Sequence, residues 1–187
     1  MKPSQEWEKG AAEKIKSAFN PDVYIVHYIK GKFDLLVYKK EGGLLYLEIK
    51  TPGWKTTVTP MQLELIKGVD SKDEWDGVPY RLLINLDIDP NKITGKKERE
   101  IFLGIKQVIG GAYALIKPTS LKPYATKTHQ QLKECPKSLL RPWPERPPKP
   151  LQTIILSQDK NDWDFFKTQI LVLPSVDALK DELTKLL

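Results

Sequence analysis

The sequence predicts an α/β fold in which a central mixed β-sheet is flanked by helices. Three observations lead to this prediction: a hairpin of two apolar strands before residue 50, an amphipathic helix ahead of it, and a capped helix and a further strand after it. In chain order the core elements read α-β-β-β-α-β. At 187 residues, the chain is long enough to bury a core without disulfides or structural metals.

Each core element has its own signal in the sequence. Ser4 is a capping residue, and the apolar residues that follow it over 4–19 recur at the spacing of one helical face. A β-branched and aromatic run over 23–29 predicts the first strand. The second helix is predicted over 59–69, with Thr59 at its cap and a proline in its first turn. A last core strand follows over 80–86.

The second half of the chain predicts further elements and an extended arm. These elements are a basic helix, three strands and a C-terminal helix, over residues 96–108, 112–116, 151–156, 169–173 and 175–187. Six prolines between 136 and 150 exclude a helix or a central strand there. We therefore divide the chain into a core over 1–125, a basic proline-rich arm over 126–150 and a β-β-α extension over 151–187.

Composition excludes several classes of protein. Cys135 is the one cysteine, which excludes an internal disulfide and a cysteine-based zinc cluster. The N-terminal residues are polar, and no run approaches the roughly 20 apolar residues of a membrane span. We expect a soluble, cytoplasmic protein with no membrane partner.

The net charge of +6 is unevenly distributed. Residues 101–150 contain nine Lys and Arg against two acidic residues. Such a stretch is the electrostatic footprint of a protein that binds a polyanion, DNA or RNA. The alternative is a solubilising, loosely ordered segment, and charge alone does not separate the two.

The hairpin brings two acidic residues together. If Gly42 is the left-handed residue of a three-residue loop, Lys39 pairs with Gly43. The same register sets Asp34 opposite Glu48, with Cβ atoms about 4.5–5.5 Å apart. Two like charges at that distance repel each other unless something positive lies between them.

The residues around this carboxylate pair suit a divalent cation. Because side chains alternate along a strand, Lys50 shares the face of Glu48 and Ile49 points away. Hard oxygen donors favour Mg²⁺ or Mn²⁺, and the Ile49 carbonyl can add a ligand. Lys50 can hold the attacking water and stabilise charge on a phosphoryl oxygen. The alternative is an exposed sheet face with an ordinary ion pair, worth about 0–1 kcal/mol.

Two further side chains are candidates for the same site. Glu13 lies near one edge of the apolar stripe of the first helix, where it can reach the end of the sheet as a metal ligand. Glu6 and Glu8 compete for that role, and a solvated helix charge is the alternative. Gln62 can face the site, or it can bond back to the Thr59 backbone and complete a capping box.

Nucleic-acid contacts are expected from two segments. Trp54 and Lys55 lie on the loop just past Lys50, where an aromatic ring and a cation can meet a backbone phosphate or a base. Trp54 can equally cover the core. The basic residues of the predicted helix over 96–108 are the other candidates: Lys96, Lys97, Arg99 and Lys106.

An acidic residue entering a strand, a tight hairpin and then Glu48-Ile49-Lys50 resembles the PD-(D/E)xK nuclease superfamily, which has the restriction-endonuclease-like fold. The resemblance covers residues 4–90 and is nearest to archaeal-type Holliday junction resolvases and small phage or mobile-element endonucleases. Their early Gly-x-x-Glu signature matches Gly10 to Glu13. The proline that names the motif is absent, since Phe33 precedes the aspartate.

The resemblance implies an endonuclease that needs Mg²⁺, with Mn²⁺ able to substitute, and that hydrolyses DNA to 5′-phosphate and 3′-hydroxyl ends. It implies that Asp34 and Glu48 bind the metal with Glu13, and that Lys50 and Gln62 support the water. Cutting two strands calls for two sites, hence a homodimer or larger symmetric oligomer. One alternative is a non-catalytic DNA-binding or assembly protein that keeps the fold, and another is an enzyme that acts on RNA.

Overall fold

A computed structural model describes residues 3–29, 34–51, 73–75, 77–118, 164 and 167–187. Its helices are α1 (Pro3–Ala18), α2 (Lys96–Ile109) and α3 (Val176–Thr184), with a 3₁₀ turn over Pro90–Lys92. Its strands are β1 (Tyr24–Tyr28), β2 (Leu35–Lys39), β3 (Leu44–Lys50), β4 (Glu74–Trp75), β5 (Val78–Asn85), β6 (Tyr113–Ile116) and β7 (Leu171–Leu173). No helix in these ranges is long and apolar enough to cross a membrane.

Six of the strands form a mixed sheet in the order β1-β2-β3-β5-β6-β7. Strands β3 and β5 run parallel, and the other described neighbours in this order are antiparallel. The short strand β4 pairs with the start of β5. The predicted α/β fold with a mixed sheet flanked by helices is confirmed at this level.

One face of the sheet packs against α1 and α3. Alternate residues of β2 and β3 point into this core, and they meet the apolar stripes of the two helices. Its members include Val37, Leu47, Ile15 and Leu183, each at most 1% exposed. Helix α2 buries a different stripe, formed by Phe102, Ile105, Val108 and Ile109.

Most predicted elements within the described ranges are present. Helix α2 ends at Gly110, which takes the left-handed conformation (φ 84°) that favours glycine at a helix end. β7 pairs with β6, and α3 contacts α1, so the described part of the predicted extension adds to the same sheet. The helix over 59–69, the strand over 151–156 and the arm over 126–150 lie outside the described residues.

Six ends of the described strands meet along one edge of the sheet, which we call the carboxyl edge. Strands β1, β3, β5 and β7 point the same way and end there, at Tyr28, Lys50, Asn85 and Leu173. The antiparallel strands β2 and β6 begin at the same edge, at Leu35 and Tyr113. Polar side chains that follow or precede these ends are therefore neighbours in space.

Candidate metal centre

The hairpin has the register that the sequence predicts. Leu35 lies opposite Leu47 in the last pair of the ladder, and Asp34 directly precedes it. Asp34 is close enough to Glu48 for the Glu48 charge to raise the pKa of the Asp34 carboxyl. The backbone N–H of Asp34 donates to the Leu47 carbonyl at 3.1 Å, so Asp34 is held against β3. The two carboxylates therefore share one patch at the carboxyl edge.

The turn that sets this register is not the one expected. Lys39 donates its N–H to the Gly43 carbonyl at 3.0 Å, as predicted. Positive φ values among the described glycines occur at Gly77 and Gly110, and not at Gly42. The three-residue loop closes without a left-handed glycine, and the pairing of the flanking strands maintains the register.

Glu48 and Lys50 form a buried ion pair. Their Oε1 and Nζ atoms are 3.0 Å apart, and the residues are 4% and 9% exposed. Burial follows from the position of β3 between β2 and β5, where Glu48 lies opposite Leu82 and Lys50 opposite Ile84. The alternative of an exposed sheet face is therefore wrong. Burying two charged groups costs desolvation free energy that their pairing often does not recover, so this ion pair is weak evidence for a role in stability and favours a functional one.

A backbone hydrogen bond orients the Asp34 carboxylate. The Ile49 N–H donates to its Oδ2 at 2.7 Å. This bond fixes one oxygen toward β3 and limits rotation of the carboxylate. The contribution of Ile49 that the structure shows is thus a donor to Asp34, and its carbonyl as a metal ligand stays a prediction.

The electrostatics of Asp34 are unfavourable for its own charge. Burial, then the negative charges of Glu48 and Glu8, raises the pKa of the Asp34 carboxyl to about 8. The Ile49 N–H and the Lys50 ammonium act in the opposite direction and are outweighed. A carboxyl group whose charge is disfavoured by burial and by neighbouring acids is typical of a site that binds a cation.

The helix carboxylate beside Asp34 is Glu8. Its Oε1 accepts a hydrogen bond from the Tyr28 hydroxyl at 2.5 Å, and its charge acts on Asp34. Glu13 is exposed and lines a cavity between α1 and the start of α3. The structure does not bring Glu13 to the patch, and its role as a ligand stays a prediction.

A phase argument could have distinguished these two glutamates. Four and seven residues after Glu8 come Ala12 and Ile15, both buried, so Glu8 continues their side of the helix. Glu13 lies off that side.

Tyr80 is a neighbour of the site that the sequence did not indicate. It is fully buried near the start of β5, opposite Tyr46 in the parallel pair β3–β5. Burial and the charges of Glu48 and Asp34 raise the pKa of its phenol well above the ordinary value. Sequence alone does not set the register of two parallel strands, so no signal pointed to it.

We refer to Glu8, Tyr28, Asp34, Glu48 and Lys50 as the Asp34 cluster. It contains three carboxylates and one ammonium, a surplus of two negative charges when all are ionised. In the described ranges no three His, Cys, Asp or Glu side chains converge closely enough to form a complete cage. Magnesium is commonly held by one or two carboxylates, with water and substrate phosphate completing its shell, so this donor set fits it.

The candidate nucleic-acid residues have different surroundings. Lys96 and Lys97 are exposed on the first turn of α2. Arg99 donates its Nε–H to the Ile93 carbonyl at 3.1 Å, and Lys106 Nζ donates to the Leu86 carbonyl at 3.2 Å. The last two are thus engaged with their own chain. Trp54, Lys55 and Gln62 lie outside the described residues.

A second acidic group at the carboxyl edge is satisfied by its neighbours. Asp87 Oδ2 lies 3.0 Å from Lys14 Nζ and accepts a hydrogen bond from the Tyr113 hydroxyl at 3.0 Å. Burial alone raises the pKa of the Asp87 carboxyl, but these two donors and the charge of Lys106 lower it below the ordinary value. We call these four residues the Asp87 cluster.

Comparisons with known proteins identify no relative of this chain. No family model, no curated protein and no solved structure matches it. Inference about function therefore depends on the chemistry of the carboxyl edge.

Proposed function

We propose that this protein is a Mg²⁺-dependent endonuclease of restriction-endonuclease-like fold that hydrolyses DNA to 5′-phosphate and 3′-hydroxyl ends. The observation that supports this most directly is the proximity of the Asp34 and Glu48 carboxylates, with Lys50 Nζ 3.0 Å from Glu48. A helix on the sheet face contributes a further acid, Glu8. The resemblance of the Asp34, Glu48 and Lys50 pattern to PD-(D/E)xK nucleases points the same way.

Asp34 and Glu48 would hold the cation, with Glu8 to one side. A bound divalent ion supplies a water of lowered pKa and neutralises negative charge on the reacting phosphate. Asp34 and Glu48 would gain an opposite charge between them, which offsets part of the burial and repulsion that raise the pKa of the Asp34 carboxyl.

Lys50 acts on the reacting groups through its ammonium. Its pairing with Glu48 holds Nζ at the carboxyl edge, where it can donate to the attacking water or to a phosphate oxygen. A donor already in place costs no reorganisation when charge grows in the transition state. Its loss should therefore reduce turnover more than DNA affinity.

The Ile49 N–H has a supporting role. By donating to Asp34 Oδ2 at 2.7 Å it holds this carboxylate in one orientation. A carboxylate oxygen accepts more than one interaction, so the hydrogen bond leaves capacity for a cation. Backbone rigidity in a paired strand thus prepares the site before any ligand arrives.

DNA is the proposed substrate because of the basic segment over 101–150. The cations of this segment, and Lys96 and Lys97 on α2, would neutralise backbone phosphates without reading sequence. Cutting both strands of a duplex or junction calls for two sites, so we propose a symmetric dimer or larger assembly, in a cytoplasmic setting.

Cleavage of supercoiled plasmid and of a four-way junction tests the proposal. Wild type should cut in Mg²⁺ or Mn²⁺ and not in EDTA, and Asp34→Asn should not cut. Asp87→Asn is the matched control, since it removes an acid at the same edge and should leave cutting intact. Cutting in EDTA, or by Asp34→Asn, would contradict the proposal. Metal-independent binding without any cutting would favour a non-catalytic DNA-binding protein.

A further inference from the structure

We infer that Tyr28 is a positioning residue: its hydroxyl holds the Glu8 carboxylate beside Asp34, so that a helix side chain serves a site built on strands. This inference rests on the proposed function, because the Glu8 charge would act on the divalent cation that Asp34 and Glu48 are proposed to hold. It adds a residue that no sequence motif indicates, placed at the end of the edge strand β1.

Strand pairing fixes Tyr28 relative to Asp34. Tyr28 lies opposite Leu35, the residue next to Asp34, at the last step of the β1–β2 ladder. The following N–H, from Ile29, donates to the Asp34 backbone carbonyl at 2.8 Å. The Tyr28 backbone is therefore tied to the strand that presents the metal-binding carboxylate.

The hydroxyl then ties the helix to this strand. It donates to Glu8 Oε1 at 2.5 Å, a short charge-assisted bond. Glu8 lies on the first half of α1, where a long side chain that lacks a partner samples several rotamers. The bond selects the rotamer in which the Glu8 charge acts on Asp34.

The Tyr28 hydroxyl and the Glu8 carboxylate are matched as donor and acceptor. The hydroxyl has one proton to donate, and a carboxylate has about four lone-pair positions. Glu8 can therefore accept this bond and still present oxygen lone pairs toward a cation.

Mn²⁺ binding to the DNA-free protein, measured by calorimetry or electron paramagnetic resonance, tests the inference. Groups that orient a metal ligand typically contribute roughly 10- to 100-fold to affinity, and we expect Tyr28→Phe to weaken binding by about tenfold. Cleavage at saturating Mn²⁺ should recover most of the wild-type turnover, because Tyr28 acts through Glu8. Tyr24→Phe is the control: it removes a hydroxyl from the same strand, where the ring packs edge-on against Phe19.

A double-mutant cycle separates positioning from general damage. Glu8→Gln keeps a hydrogen-bond acceptor but removes the charge, and the Glu8→Gln/Tyr28→Phe double variant should bind Mn²⁺ no more weakly than Glu8→Gln alone. Equal affinity of wild type and Tyr28→Phe, or additive losses in the double variant, would overturn the inference and leave the proposed function standing. Absence of Mn²⁺ binding by wild type would overturn both.

Discussion

The Asp34 cluster and the Asp87 cluster occupy the same edge of one sheet and are opposite in electrostatic character. Asp34 lies among acids, and its pKa is raised to about 8 by burial, Glu48 and Glu8. Asp87 receives bonds from Lys14 and Tyr113, and its pKa is lowered although burial alone raises it. The surroundings of Asp34 thus disfavour the ionised carboxylate, whereas the surroundings of Asp87 favour it.

The difference shows how a functional acid can be distinguished from a structural one. Asp87 joins α1 to the end of β5 through Lys14, and its partners leave no requirement for a ligand. Asp34 lies near the charges of Glu48 and Glu8, and the one ammonium of its cluster, Lys50, is paired with Glu48. This arrangement costs stability unless a cation binds. Each prediction below changes one cluster and uses the other as its reference.

The largest expected difference concerns the two lysines. Lys50→Ala should lower DNA-cleavage turnover by about 10²- to 10³-fold, because a donor aimed at developing charge is lost. Lys14→Ala should change turnover by less than about threefold, because its partner is Asp87. Single-turnover cleavage at saturating DNA and Mg²⁺ measures both.

Two controls accompany this comparison. Removing Lys50 leaves Glu48 buried without its counter-ion, at a typical cost of about 3–5 kcal/mol, so thermal unfolding must show that the variant is folded at the assay temperature. DNA affinity, measured in Ca²⁺ or without metal, should be nearly unchanged. Equal loss of turnover in both lysine variants would remove the functional distinction between the clusters.

The second difference concerns the pH dependence of metal binding. A cation must displace the proton that Asp34 holds below about pH 8. Apparent Mn²⁺ affinity should therefore rise by up to about tenfold per pH unit between pH 6 and 8 and level off above that. Calorimetry in buffers of different ionisation enthalpy should detect about one proton released per ion at pH 7. Asp34→Asn should bind weakly with little pH dependence, and a flat wild-type profile would contradict the assignment.

Local patterns explain the parts of the fold that the sequence predicted correctly. The hairpin register follows from alternation and a short loop, so the approach of Asp34 and Glu48 could be inferred from about fifteen neighbouring residues. Helix α2 carried a periodic stripe and a terminal glycine, Gly110. The two-residue strand β4 had no periodicity to detect, since alternation needs a longer run.

The remaining parts of the site depend on contacts between distant segments. Tyr80 reaches the cluster through the parallel pairing of β3 with β5, whose register no local signal sets. Which glutamate of α1 lies near Asp34 depends on how the helix packs on the sheet, and the Glu8 contact with Tyr28 shows the outcome. The burial of Lys50 likewise depends on the pairing of β3 with β5, where Lys50 lies opposite Ile84.

The third difference concerns stability without metal. Because the pKa of Asp34 is raised in the folded protein, the stability this group contributes is full below about pH 4 and is lost as pH rises through about 8. Asp34→Asn, which keeps the acceptor for Ile49, should therefore stabilise the protein by about 1–3 kcal/mol at pH 9 in EDTA. Urea denaturation at pH 5, 7 and 9 should show that the variant's excess in free energy of unfolding over wild type increases with pH. Added Mg²⁺ should stabilise wild type alone, so that wild type becomes the more stable of the two proteins.

The smallest difference concerns Asp87, whose effect on stability has the opposite pH dependence. Because the pKa of Asp87 is lowered in the folded protein, its ionised carboxylate stabilises the fold above its ordinary pKa. That stabilisation is lost as pH falls through the folded-state pKa. Asp87→Asn should therefore destabilise the protein by about 1 kcal/mol at pH 7, the typical net value of one hydrogen bond. The bond concerned is the one that Tyr113 donates to Asp87. The Lys14–Asp87 ion pair adds little, because it is half-exposed.

Urea denaturation of wild type and Asp87→Asn from pH 7 down to pH 3 measures this loss. The difference in free energy of unfolding between the two proteins should decrease as the wild-type Asp87 carboxyl becomes protonated. For Asp34→Asn, the corresponding difference from wild type should decrease over a range several pH units higher. Tyr113→Phe serves as the control, because it removes one donor to Asp87 and leaves the carboxylate. If Asp87→Asn stabilised the protein at pH 7 as Asp34→Asn is expected to do, both acids would be strained. The two clusters would then not differ in the sign of their effect on stability. An ionised acid that destabilises the fold would no longer distinguish the proposed metal site from the Asp87 cluster.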